Sequence, residues 1–94
     1  MLLLLLAACA HEPDPSAGAD RYDLFCSSCH GADGAAGVQV DGVAATALSA
    51  VVPTLSDDTL TTVIQDGYLA MPAQQLDDDR TADVIAYLRE TFGG

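Results

Sequence analysis

The 94-residue chain has no lysine and no tryptophan, and its aromatic residues are three tyrosines and two phenylalanines. Its three basic residues are all arginines, set against fourteen acids for a formal charge of −11. That deficit argues against nucleic-acid binding, because phosphate neutralisation needs clustered Lys and Arg. It argues equally against electrostatic adsorption to an anionic bilayer. The apolar run that opens the chain falls far short of the ~20 residues of a spanning helix. No run of alternating β-branched residues suggests a sheet, and no internal repeat or second domain is visible. Half the residues are hydrophobic, but many are alanine, which buries little. A domain of this size buries only about 60–65% of its unfolded surface, so a staple, metal or cofactor is expected to complete the core. The acids are too interspersed with apolar residues for a disordered acidic tail.

Met1-Leu2-Leu3-Leu4-Leu5-Leu6-Ala7-Ala8 reads as the end of a secretory h-region. Leu6-Ala7-Ala8-Cys9 resembles a bacterial lipobox, in which the cysteine receives a lipid. The alternatives are a simple cleaved signal and a greasy tail with a chance cysteine. The run is short and lacks a basic n-region, so a start placed too far downstream would give the same appearance. From Cys9 the chain runs His11-Glu12-Pro13-Asp14-Pro15-Ser16-Ala17, polar and broken by prolines that disfavour helix in the residue before them. The expected organisation is an export signal of lipoprotein type at 1–8, a lipid-anchored flexible tether at 9–17 and a folded domain at 18–94. The expected location is the periplasmic side of a bacterial membrane, or free secretion if Cys9 carries no lipid.

Cys26-Ser27-Ser28-Cys29-His30 is C-x-x-C-H, the attachment pattern of c-type haem. On one helical turn the two thiols meet the two vinyl groups of one porphyrin edge, and the next residue places an imidazole beneath the ring. A redox dithiol would want a βαβ context that this chain lacks. A structural zinc site needs four ligands, and the remaining candidates, Cys9 and His11, lie in the tether. A Cys26–Cys29 disulfide would leave His30 unexplained. Three cysteines are an odd number for a secreted disulfide protein; two for haem and one for lipid leave none over.

Around this motif, residues 18 to 92 resemble a small class I bacterial cytochrome c. Gly18 and Tyr22 stand eight and four residues before the first haem cysteine, Cys26, as in that family. Cys29-His30-Gly31-Ala32-Asp33-Gly34 is similar to the family's exit from the motif. Asp66-Gly67-Tyr68-Leu69-Ala70-Met71-Pro72-Ala73 resembles its methionine-ligand loop, and Leu76 to Leu88 its C-terminal helix. The resemblance implies an all-α cytochrome c fold, three to four short helices wrapped around one covalently attached haem. It also implies that Gly18 and Tyr22 meet Val84 and Tyr87 where the first and last helices cross. One departure stands out. The family often has a proline about ten residues after the haem histidine, whose carbonyl orients the imidazole. Here none occurs between His30 and Pro53, so another carbonyl must do it.

Haem iron with His30 on one side needs a partner or an open site on the other. Met1 belongs to the signal, His11 to the tether, and lysine is absent, which leaves Met71. Its bland alternative is a core gap-filler. The expected iron ligands are therefore His30 and Met71, with Cys26 and Cys29 as thioether attachments, haem c and its iron as cofactors, and no catalytic residue. Tyr68 is read as packing. Such a chain is expected to carry single electrons between redox proteins with basic docking surfaces, as a monomer or as a fixed subunit of a membrane complex. The alternative is a haem enzyme or gas sensor with a displaceable sixth ligand. Among helices, the first is expected from Gly18 or Asp20 to Cys29. A short helix or loop covers Ala44 to Val52, a helix capped by Ser56 ends at Gly67, and a last helix starts at Asp77 or Asp78.

Overall fold

The computed structural model describes residues 11–35, 37–40 and 42–93. The leucine run and Cys9 lie outside them. Helix α1 spans Pro15–Phe25, so it starts inside the segment read as the tether. Asp14 and Pro15 explain why. The Asp14 carboxylate accepts from the Ser16 and Ala17 amides, and Pro15 sits at the first helical position, where its missing N–H costs nothing.

The single helix expected through Cys29 is two. Helix α2 spans Ser27–His30, and the break falls at Cys26, with φ −118° and ψ −34°. There the Ser27 hydroxyl donates to the Asp23 carbonyl at 2.7 Å, a back-bond of the kind that bends helices. A second difference is a two-stranded antiparallel hairpin, β1 (Gln39–Val40) with β2 (Val43–Ala44). Strands of two residues are too short to produce visible alternation. The Asp41-Gly42 dipeptide was the available signal.

Helix α3 (Leu48–Val51) runs into a 3-10 turn at Val52–Thr54. Helix α4 (Asp57–Asp66) is capped by Ser56, which accepts from the Thr59 amide, and stops at Gly67. Helix α5 (Asp78–Phe92) is capped by Asp77, which accepts from the Arg80 amide. That amide, aided by the Arg80 charge, holds the Asp77 carboxyl below its ordinary pKa.

Helix α5 is the spine. Val84, Ile85 and Leu88 bury their side chains with Tyr22 of α1, Leu60 and Ile64 of α4, Val52 and Leu76, each contributing about 1.5–3 kcal/mol. At the crossing with α1, any Cβ on Gly18 would overlap the Asp83 carbonyl. Glycine there lets two backbones touch. One turn on, the Tyr22 ring lies 5.3 Å from that of Tyr87 and 6.3 Å from that of Phe92. The Gly18–Tyr22–Tyr87 crossing expected from the resemblance is thus present. Arg89 ties the loop to α4, donating to the Val52 carbonyl at 2.6 Å and to Asp57 at 2.8 Å.

Candidate haem site

The kink at Cys26 places Cys26, Cys29 and His30 on one short turn at the end of α1. His30 N–H bonds the Cys26 carbonyl at 3.0 Å. The thiols of Cys26 and Cys29 are free, so the disulfide reading has no counterpart here. Burial, with Cys29 adding to it, pushes the Cys26 thiol up to about 11. A dithiol catalyst requires the opposite, a depressed pKa. Among the described residues no three His, Cys, Asp or Glu side chains gather as a metal cage.

The turn is held from three directions. The buried Tyr22 hydroxyl donates to the Gly31 carbonyl at 2.6 Å, which fixes the chain where it leaves His30. Burial raises that phenol to about 12. The Val38 amide donates to the Cys29 carbonyl at 3.2 Å, and the Ala45 amide to the Val38 carbonyl at 3.0 Å. The hairpin is thereby laid beside the motif, and it delivers the missing carbonyl. His30 Nδ1 lies 3.2 Å from the Thr46 carbonyl oxygen. A carbonyl only accepts, so in this bond Nδ1–H is the donor, which leaves Nε2 as the ring nitrogen available to a metal. Thr46 thus orients the imidazole in the manner of an outer-shell partner of a metal-bound histidine. It stands sixteen residues after His30, and because any residue type carries a carbonyl, nothing in the sequence could have singled it out.

Met71 is positioned separately, from the end of α4. Gly67 ends the helix, and Tyr68 and Met71 then exchange both backbone bonds, at 3.0 and 2.9 Å. Leu69, at the tip of this turn, has φ 52°, uncommon for a side chain of its size. Met71 is partly buried. Among the described residues no hydrogen bond joins this turn to the His30 turn.

What the two half-sites have in common is bare apolar surface. Among the described residues the exposed large hydrophobic ones are Leu24, Phe25, Val38, Val43, Tyr68 and Leu69, the last 81% exposed. Four flank C-x-x-C-H in sequence or sit on the hairpin beside it, and two belong to the Met71 turn. An apolar disc with two thioether-forming vinyl groups on one edge fits that distribution and the donor set: two thiols, one imidazole, one thioether. The residues present fit haem c.

Comparison with curated proteins and with solved structures gives no match. A family model does match. It is described as cytochrome c oxidase, cbb3-type, subunit III, and it covers residues 13–88, from the proline-rich start through the last buried leucine of α5. By that match the chain belongs to this family and is a small cytochrome c domain, all-α, with covalent haem c that serves electron transfer.

Proposed function

We propose that the chain is a one-electron carrier with a single haem c joined through Cys26 and Cys29, His30 and Met71 as axial ligands, and a lipid on Cys9 that holds it at the periplasmic face of a bacterial membrane. The observation that carries this reading is the Thr46–His30 hydrogen bond. With Nδ1–H donating to that carbonyl, Nε2 is the ring nitrogen left to ligate iron. The haem group supplies a one-electron couple, and a soft thioether ligand raises its potential relative to a second imidazole.

The chain's own residues do the rest. Tyr22, Val38 and Thr46 fix the His30 turn, and the reciprocal Tyr68–Met71 bonds fix the other ligand. A rigid frame on both sides means that little rearranges when an electron moves. His11, the second histidine, is engaged with Asp83 of α5. The charge of −11 suits weak encounters with a basic redox partner, steered electrostatically. The family match gives specific support to a second form of the same reading. In it the domain is a fixed subunit of a membrane complex and hands electrons only to its neighbours.

The test is holoprotein from a host that matures c-type haem, with membranes separated from soluble protein. The expected ferric form has a thioether charge-transfer band, and the ferrous form is low-spin and inert to carbon monoxide. A high-spin spectrum or ready carbon monoxide binding would put the enzyme or sensor reading in its place. Cys9→Ser is expected to move the protein to the soluble fraction. Retention of that variant at the membrane would assign its location to a partner or another anchor.

A further inference from the structure

Helix α4 ends on Gly67 at φ 85° and ψ 169°, a region that glycine alone enters without strain. The chain then doubles back, so that the backbone of the Met71 segment lies on that glycine. A methyl group at position 67 would sit 2.7 Å from the Met71 carbonyl oxygen, 2.9 Å from the Ala73 nitrogen and 3.2 Å from the Pro72 carbonyl carbon. These are backbone atoms, which cannot swing aside as the tip of a long side chain can.

The same segment is gripped at both ends. Tyr68 and Met71 exchange their amide bonds at 3.0 and 2.9 Å. Beyond Pro72, the Gln74 amide donates to the Ile64 carbonyl at 2.8 Å. The Gln74 side chain donates to the Pro72 carbonyl at 2.9 Å. Displacing the loop from Gly67 therefore displaces Met71.

We infer that Gly67 is a positioning residue for Met71: its bare Cα is the seat on which the Met71–Ala73 backbone rests, and Gln74 pins the far end. This rests on the reading of Met71 as axial ligand, and adds the residue that fixes where its sulfur is presented. The molecule contains its own control. Helix α5 ends on Gly93 at φ 94° and ψ 174°, nearly the same conformation. A Cβ there meets only the Pro53 ring, at 3.7 Å. Alanine at either position bears similar backbone strain, but only at position 67 does it strike the ligand loop.

The experiment compares holoprotein carrying Gly67→Ala, Gly93→Ala or Met71→Ala by three readouts: the ferric thioether charge-transfer band, imidazole affinity and reduction potential. Gly67→Ala is expected to lose most of the band and bind imidazole about tenfold more tightly or better. Its potential should move toward that of Met71→Ala, while Gly93→Ala keeps wild-type values. If Gly67→Ala matches Gly93→Ala and only Met71→Ala is altered, the ligand assignment stands and the positioning role falls. If Met71→Ala changes none of the three, the ligand assignment itself fails and takes the inference with it. Should Gly67→Ala not accumulate as holoprotein, Gln74→Ala decides. Tighter imidazole binding than wild type supports the inference, and wild-type binding overturns it.

Discussion

The residues around α5 and the residues around the His30 and Met71 turns meet water in opposite ways. On α5, Val84 is wholly buried, and Ile85 and Leu88 are 5% exposed; Tyr22 and Ile64 close over them from two other helices. Around the two ligand turns, Leu24 is 68% exposed and Tyr68 64%. Burial, the dominant favourable term in folding, is complete in the first region and unfinished in the second. The first region is a scaffold that protein atoms alone satisfy. The second consists of hairpin, short helix and tight turn, held mainly by backbone bonds such as Val38 to Cys29 and Leu48 to Gly34, and its exposed side chains are apolar ones that fit the face of a haem.

Haem removal breaks this comparison most sharply. Cys26→Ser/Cys29→Ser, which cannot form the thioethers, is expected to leave the α1–α5 crossing as the most protected part of the chain. In that variant the amides of Val38, Ala45, Leu48 and Met71 should exchange about a hundredfold faster than in holoprotein, ~2.7 kcal/mol of lost protection. Hydrogen exchange read residue by residue checks this. A uniform loss along the whole chain would mean that the two regions form one cooperative unit.

The contrast also explains what the sequence could and could not announce. Capping signals make both ends of α4 and the start of α5 legible almost to the residue, because Ser56, Gly67 and Asp77 act on their own helices. The Gly18–Tyr22 crossing was legible through resemblance, since the spacing alone says nothing of a distant helix. C-x-x-C-H was legible because its chemistry demands side chains at fixed spacing. The kink at Cys26 was not, because it depends on which acceptor the Ser27 hydroxyl chooses. The Thr46 carbonyl was hidden for a deeper reason: a backbone acceptor leaves no trace in the residue type that carries it. The start of α1 is legible in Asp14-Pro15, a capping residue followed by a proline suited to the first helical position, although the same prolines also suit a tether.

Within the scaffold, Gly18→Val is the next largest expected effect. Its Cβ overlaps the Asp83 carbonyl and meets the Tyr87 Cβ at 3.0 Å, so the two helices must move apart. Overpacking of that kind costs about 3 kcal/mol, a large part of the stability of a small domain. Urea unfolding of holoprotein measures it. Gly42→Val is the comparison in the other region: φ 79° strains the backbone, but nothing lies within 4 Å of the added Cβ. A smaller loss is expected there. Equal losses would mean that backbone strain, and not the helix contact, sets the cost at Gly18.

The smallest expected effect lies where the N-terminal segment meets the scaffold. His11 Nε2 and the Asp14 amide both reach Asp83 Oδ1, at 2.7 and 2.8 Å, and Asp79 lies 3.9 Å from the other ring nitrogen. The hydrogen bond to Asp83, helped by the Asp79 charge, raises His11 above its ordinary 6.5. Burial pushes the Asp83 carboxyl up, but the Asp14 amide and the His11 ring outweigh it, and the net pKa falls below 3.8. The raised histidine stabilises fully below 6.5 and loses that contribution as pH rises through its folded value. The lowered aspartate stabilises fully above 3.8 and loses that contribution as pH falls through its folded value. The clasp is therefore strongest between these limits and loosens toward alkaline pH. Because His11 is solvent-exposed, the effect is small and falls with salt. Comparing thermal midpoints of wild-type and His11→Gln holoprotein at about pH 5.5 and about pH 8 removes the background from the other acids. Wild type should be the more stable at the lower pH, with the gap narrowing at the higher. Parallel profiles for the two proteins would show that the contact carries no free energy, and that the scaffold ends at Asp14 instead of at His11.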